Sequence, residues 1–120
     1  MMTFSNPKRA DIEPVSAEAL VDTGSVYLVI PEHVRKHLEL EQQSAREVTL
    51  ADGSRRVIAY VGPIETRFKN RVAYVGAIVM GDDVLLGAIP MDDMDLVLLP
   101  TQRLADINPK SPNIASGVAK

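Results

Sequence analysis

Ala19-Leu20-Val21-Asp22-Thr23-Gly24-Ser25-Val26-Tyr27-Leu28-Val29-Ile30-Pro31 is the stretch on which the fold turns. Residues 15–21 suit a β-strand. Asp22-Thr23-Gly24-Ser25 is a cluster of residues that hydrogen-bond locally or tolerate positive φ, so the acid falls on a loop at a strand end. Residues 26–30 are β-branched, aromatic and aliphatic, and read as the next strand. Pro31 suits the opening of a short helix over residues 32–38, whose apolar contacts come from Val34 and Leu38.

Upstream, residues 6–14 are polar and bracketed by Pro7 and Pro14, a loop that follows a short first strand, so order is expected to begin in earnest at Val15. Downstream, residues 47–50 and 56–61 flank Ala51-Asp52-Gly53-Ser54. Asp-Gly supplies the positive-φ positions of a tight turn, and the segment reads as a β-hairpin. Strands over 64–68 and 72–80 follow across Lys69-Asn70-Arg71, then another over 84–87. Acidic residues after Pro90 favour the positive end of a helix dipole, giving a second short helix over 91–94. Residues 96–99 form the last expected strand. Beyond Arg103 the chain carries Pro109, Pro112, Asn108 and Asn113 with little apolar material, the composition of a surface or disordered tail.

A chain of 120 residues is long enough for one domain with a real core. Cysteine is absent, which removes disulfides, thiol nucleophiles and zinc-thiolate sites from consideration. The formal net charge of -3 argues against a nucleic-acid binder that neutralises phosphates. No apolar stretch approaches the roughly 20 residues of a membrane span, and residues 1–6 lack a signal-peptide pattern, so the expected location is the cytoplasm.

Peptide hydrolysis without metal or covalent intermediate can be run by two carboxylates that share a proton, one activating water and the other polarising the carbonyl. Asp22-Thr23-Gly24 sits where such an acid is needed, at a strand end, with Gly24 allowing a tight turn. The tripeptide alone would arise by chance in roughly 2% of chains this long. Its setting is more specific. Residues 19–25 followed by Val29-Ile30-Pro31 closely resemble the active-site region of retropepsin-like aspartic proteases. Leu85-Leu86-Gly87 and the short helix after it resemble that family's apolar-apolar-Gly strand and helix behind the catalytic loop. The hairpin at Asp52-Gly53 falls where the family carries its flap. The likeness covers approximately residues 15–104.

The resemblance implies an all-β, acid-protease-like, barrel-like domain over 1–104 with one or two short helices, followed by a tail over 105–120. It implies that Asp22 is the catalytic acid, that Thr23 bonds to its counterpart across a dimer, and that Gly24 shapes the loop and meets the substrate backbone. Ser25 is placed to donate to the Asp22 carboxylate. Asp52 and Gly53 at the flap tip, and Leu86 and Gly87 behind the loop, are the supporting residues. With no second Asp-Thr-Gly in the chain, the partner acid must come from a homodimer. The expected activity is an aspartic endopeptidase acting on peptide or protein substrates, strongest at mildly acidic pH, with no cofactor, metal, nucleic acid or membrane involved. The alternative is a dimeric peptide-binding module on the same fold that does not cut.

The chain departs from the viral members of that family in two ways. Val26, Tyr27 and Ala88 replace charged residues that bind substrate and brace the dimer, and Pro109 and Pro112 interrupt any terminal ladder. Other polar clusters have plainer readings. His33 and His37, four apart on a helix, suit a solvated face. Asp82-Asp83 and Asp92-Asp93-Asp95 lack the calcium-loop pattern. Arg46, Arg55, Arg56, Arg67, Lys69 and Arg71 form a basic region that would favour acidic peptides, with an ordinary solvated face the simpler account.

Overall fold

The computed structural model describes residues 1–119. Twelve elements follow in order: β1 (Met2–Ser5), β2 (Val15–Ala17), β3 (Ala19–Val21), β4 (Leu28–Ile30), α1 (Glu32–Leu38), β5 (Gln42–Thr49), β6 (Arg55–Phe68), β7 (Arg71–Val79), β8 (Val84–Leu86), α2 (Ala88–Asp93), β9 (Leu96–Leu99) and β10 (Leu104–Ile107). The chain is mostly β, with a nearly closed, barrel-like sheet and two short helices. The main sheet runs β2-β1-β6-β7-β4-β8-β3, with β5 hydrogen-bonded to β6, and β9 and β10 form a separate two-stranded ladder.

Most pairings are antiparallel, and two are parallel: β3 with β8 (Val21 opposite Leu86) and β4 with β7 (Val29 opposite Ile78). Parallel neighbours need long crossovers, and here the chain between them is filled by α1 and the β5–β6 hairpin. The principal core takes one side chain from alternate positions of nearly every strand, with Phe4, Leu28, Ile30, Val61, Ile64 and Leu86 wholly buried. Helix α1 closes one end of it through Val34 and Leu38, and its chain exit is turned by Glu39 at φ 50°.

Several expectations change. Order does not wait for Val15: β1 lies between β2 and β6, with Met2 and Phe4 in the core. The strand expected over 15–21 is two strands, because the chain changes partner at Glu18, from β1 to β8. The strands expected over 56–61 and 64–68 are one long β6, whose ladder to β7 shifts register at Gly62-Pro63, where proline has no N–H to give. Helix α2 begins at Ala88, before Pro90, which is tolerated because a first-turn N–H has no helical partner.

Past Arg103, which sits at φ 54°, the chain reverses into β10 and pairs residue by residue with β9. Ala105 and Ile107 pack against the main core. The stretch that follows runs over the surface but is tied down. Asp95 accepts hydrogen bonds from the Asn108 amide (3.0 Å), the Ser111 hydroxyl and the Ser116 N–H (3.0 Å). Asn70 donates to the Pro112 carbonyl at 2.9 Å, and the buried Arg71 donates to that of Ser111.

Candidate functional site

Asp22 stands at the C-terminal end of β3, and the backbone there is held from both sides. Its N–H donates to the Leu86 carbonyl (2.9 Å), while the Val21 N–H donates to that of Arg103 (2.8 Å). The loop then closes on itself: the Gly24 N–H donates to Asp22 Oδ1 (3.1 Å) and the Ser25 N–H to the Asp22 carbonyl (3.1 Å). An aspartate that accepts from the chain two residues on is the usual means of stabilising such a turn.

Behind the loop lies a backbone bracket. The Ser25 carbonyl accepts from Ala88 N–H (3.0 Å) and the Val26 carbonyl from Ile89 N–H (2.9 Å), so the first free N–H groups of α2 are satisfied by the loop itself. Gly87 makes that approach possible. A Cβ there would stand 2.4 Å from the Tyr27 oxygen, 2.6 Å from the Val26 carbonyl carbon and 2.7 Å from the Ser25 oxygen. Gly87 thus has the role of a residue over which another backbone must pass.

The Asp22 side chain is half-buried at the surface, and Thr23 and Gly24 are exposed. Among the described residues no cation pairs with Asp22. The expected bond from the Ser25 hydroxyl to this carboxylate is not made. Ser25 Oγ donates instead to the Tyr27 carbonyl at 3.3 Å, and the loop N–H of Gly24 takes the carboxylate.

Six of the eight residues singled out from sequence, Asp22, Thr23, Gly24, Ser25, Leu86 and Gly87, therefore meet at one place. Asp52 and Gly53 do not join them. They form the tip of the β5–β6 hairpin, where Asp52 Oδ1 accepts from the Ser54 N–H (2.9 Å) and hydroxyl (2.6 Å), and Gly53 takes φ 86°. Their hydrogen bonds stay within the turn. The Ser54 hydroxyl and N–H hold the Asp52 carboxyl below the usual carboxylate range.

One feature of the site went unread in the sequence. On the face of the sheet away from the principal core, Val29, Ile58 and Ile78 are buried together, ringed by Tyr27, Val48, Tyr60, Met80 and Leu85. This second apolar face ties the strands of the hairpin to the strand that leaves the Asp22 loop. Tyr27 and Tyr60 meet edge to face with centroids 6.0 Å apart, Tyr60 lies over Gly76, and the Arg46 guanidinium stacks on Tyr60 at 3.9 Å. The signal was present as apolar residues on both parities of the central strands, the mark of a sheet covered on two sides.

His33 and His37 are exposed on α1, and His37 Nε2 lies 2.9 Å from the Glu13 carbonyl oxygen. Among the described residues no group of three or more His, Cys, Asp or Glu is placed to hold a metal ion. Among the described residues no helix is long and apolar enough to cross a membrane. No protein-family model matches the chain, and no curated protein shows significant sequence similarity to it.

Proposed function

We propose that the protein is a retropepsin-like aspartic endopeptidase that works as a homodimer, with water activated between two Asp22 carboxylates. The observation that carries the reading is the Asp22 loop: a solvent-reaching carboxylate without a cationic partner among the described residues, on a turn clamped by Leu86, Gly87 and the start of α2. A structural turn aspartate has no need of so elaborate a bracket, whereas a catalytic acid must be held within a fraction of an ångström. Exposed Val26 and Ile89, joined by a backbone hydrogen bond beside the loop, support closure of this face by a second copy.

In the dimer one Asp22 is ionised and takes a proton from water as it attacks the scissile carbonyl carbon. The protonated partner donates to the carbonyl oxygen. Collapse of the gem-diol intermediate breaks the C–N bond as the proton held by the first carboxyl passes to the leaving amine, and one hydroxyl proton of the diol returns to the partner carboxylate, which restores the singly protonated pair. Thr23 bonds to its counterpart across the dimer, Gly24 meets the peptide backbone, and the β5–β6 hairpin covers the bound chain. The partly exposed rim of the second apolar face, Tyr27, Val48 and Tyr60, receives substrate side chains.

The test is hydrolysis of a pooled peptide library between pH 3 and 7 by wild type and Asp22→Asn, with the dimer fraction measured in the same samples. Cleavage that needs Asp22, rises with protein concentration and is strongest in acid is the expected result. Equal silence from both proteins while folded and dimeric overturns the protease reading in favour of a peptide-binding module.

A further inference from the structure

Among the described residues Arg46 is the cation that lies over the tyrosine rings of the second apolar face, and it arrives there without a counter-charge. It lies on β5, half-buried, with its guanidinium 3.9 Å from the centroid of Tyr60 and 6.0 Å from that of Tyr27. Tyr27 is two residues beyond Ser25, so the cation overlooks the exit of the Asp22 loop. Among the described residues Arg46 pairs with no carboxylate. Nη1 donates to the Ser44 hydroxyl and to the Ala45 carbonyl (3.3 Å), while the Nε–Nη2 edge makes no hydrogen bond to those residues. A guanidinium fixed on aromatic rings with one edge free has the flat fork geometry that takes a carboxylate through two parallel bonds.

The two sides of Tyr60 differ in charge. Beyond it, an open groove between β7 and α2 is lined by Tyr74, Gly76, Ile89, Asp92 and Asp93. A peptide lying along this face meets a cation at the Arg46 side and two carboxylates at the α2 side.

From this we propose that Arg46 is a specificity-determining residue and that the site selects peptides carrying a Glu or Asp side chain at the subsite formed by Tyr27, Tyr60 and Arg46. The assignment rests on the peptide-site reading of the Asp22 face and names the class of peptide it takes. A carboxylate entering here exchanges water for a two-pronged ion pair on a surface partly shielded by the tyrosine rings, whereas the isosteric amide offers the guanidinium a single neutral acceptor oxygen. The difference corresponds to a preference of about tenfold for Glu over Gln at that one position.

Two arms test this. In the first, kcat/KM is measured for paired peptides that differ only by Glu or Gln at successive positions, on wild type, Arg46→Lys, Arg46→Met and Arg46→Glu. In the second, the same peptides, fluorescently labelled, are titrated by anisotropy onto Asp22→Asn alone and combined with each Arg46 change, so the outcome does not depend on whether the chain cuts. The expected result is a Glu/Gln ratio of about ten at one position in the wild-type background. The ratio falls toward one in Arg46→Met, is largely kept in Arg46→Lys and inverts in Arg46→Glu. A purely structural brace would shift the melting temperature and leave the ratio alone. Equal ratios across all four backgrounds, or no Glu preference and no binding in the anisotropy arm, overturn the assignment. Silent cleavage with an Arg46-dependent ratio in binding overturns the protease reading and keeps this one.

Discussion

Gly87→Ala is the sharpest single test of how the Asp22 loop is built. Backbone conformation is not the obstacle, since Gly87 has φ -91° and ψ -170°, values open to alanine. The obstacle is space. The added methyl would stand 2.4, 2.6 and 2.7 Å from backbone atoms of Tyr27, Val26 and Ser25, none of which can rotate out of the way. Ordinary contact requires those atoms to retreat by about 1 Å. Overpacking of this kind costs about 1–3 kcal/mol. The same retreat weakens the bonds from Ala88 and Ile89 to the Ser25 and Val26 carbonyls, at about 1 kcal/mol each. The sum is about 3–5 kcal/mol, or a melting temperature lower by about 12–20 °C for a domain of this size. Urea unfolding followed by far-UV circular dichroism measures it, with Gly81→Ala as the control. Gly81 has φ 69° and nothing within 4 Å of a built Cβ, so only the left-handed backbone is penalised, at about 1–2 kcal/mol. A Gly87→Ala protein within 0.5 kcal/mol of wild type would refute the bracket as the device that holds the loop.

Three further expectations accompany it. Phe4→Ala should destabilise by about 3–5 kcal/mol in the same urea assay, because Phe4 is fully buried on a strand with neighbours on both sides; a near-neutral effect would remove β1 from the core. Gly76→Ala places a methyl 2.1 Å from the Tyr60 ring, a side chain that can move, so the loss should be smaller, about 1–2 kcal/mol, with a changed near-UV tyrosine signal as the ring leaves Arg46. Stability should also fall as the solution is acidified from about pH 4 toward pH 2. The Ser111 hydroxyl, the Asn108 amide and the Ser116 N–H lower the Asp95 carboxyl to about 2, and a folded pKa below the unfolded one gives stability that is complete above the unfolded value and lost as pH drops through the folded one. Asp95→Asn should flatten part of that decline in a pH series of melting temperatures, and an unchanged slope would show that the clasp on the C-terminal segment carries none of it.

Most of the elements were legible from local signals. Pro31, Val34 and Leu38 announce α1 and Asp52-Gly53 announces the β5–β6 turn, while the meeting of Asp22-Thr23-Gly24 with Leu86-Gly87 was an implication of the family resemblance and not of any local signal. What could not be read was partnership. Nothing within residues 15–21 says that the chain swaps neighbours at Glu18, since that depends on β1 and β8 lying elsewhere. Residues 104–107 are too short and too mixed to proclaim a strand, and β10 exists because β9 offers it a ladder and the core takes Ala105 and Ile107. At the site, the Ser25 hydroxyl had two acceptors within reach in sequence terms, and the choice of the Tyr27 carbonyl follows from the turn geometry. Arg46 stood out in the sequence only as one member of a basic region, with nothing to set it apart from Arg55 or Arg56. Its place beside Tyr27 and Tyr60 arises only when β5, β6 and β4 are brought onto one face.

The parallel pairing of Val21 with Leu86 has a consequence for the order of events at the ribosome. The Asp22 segment emerges early, yet its backbone partners on β8 and at the head of α2 are made more than half a chain later. Contacts of such long sequence separation form late and bring no stabilisation until the intervening loop is closed. Until residues 86–89 have left the exit tunnel, the turn that presents the carboxylate has nothing to lean on. A nascent chain therefore carries its acid in an unformed loop until those residues are free, and any chain cut short before Ile89 carries it that way permanently.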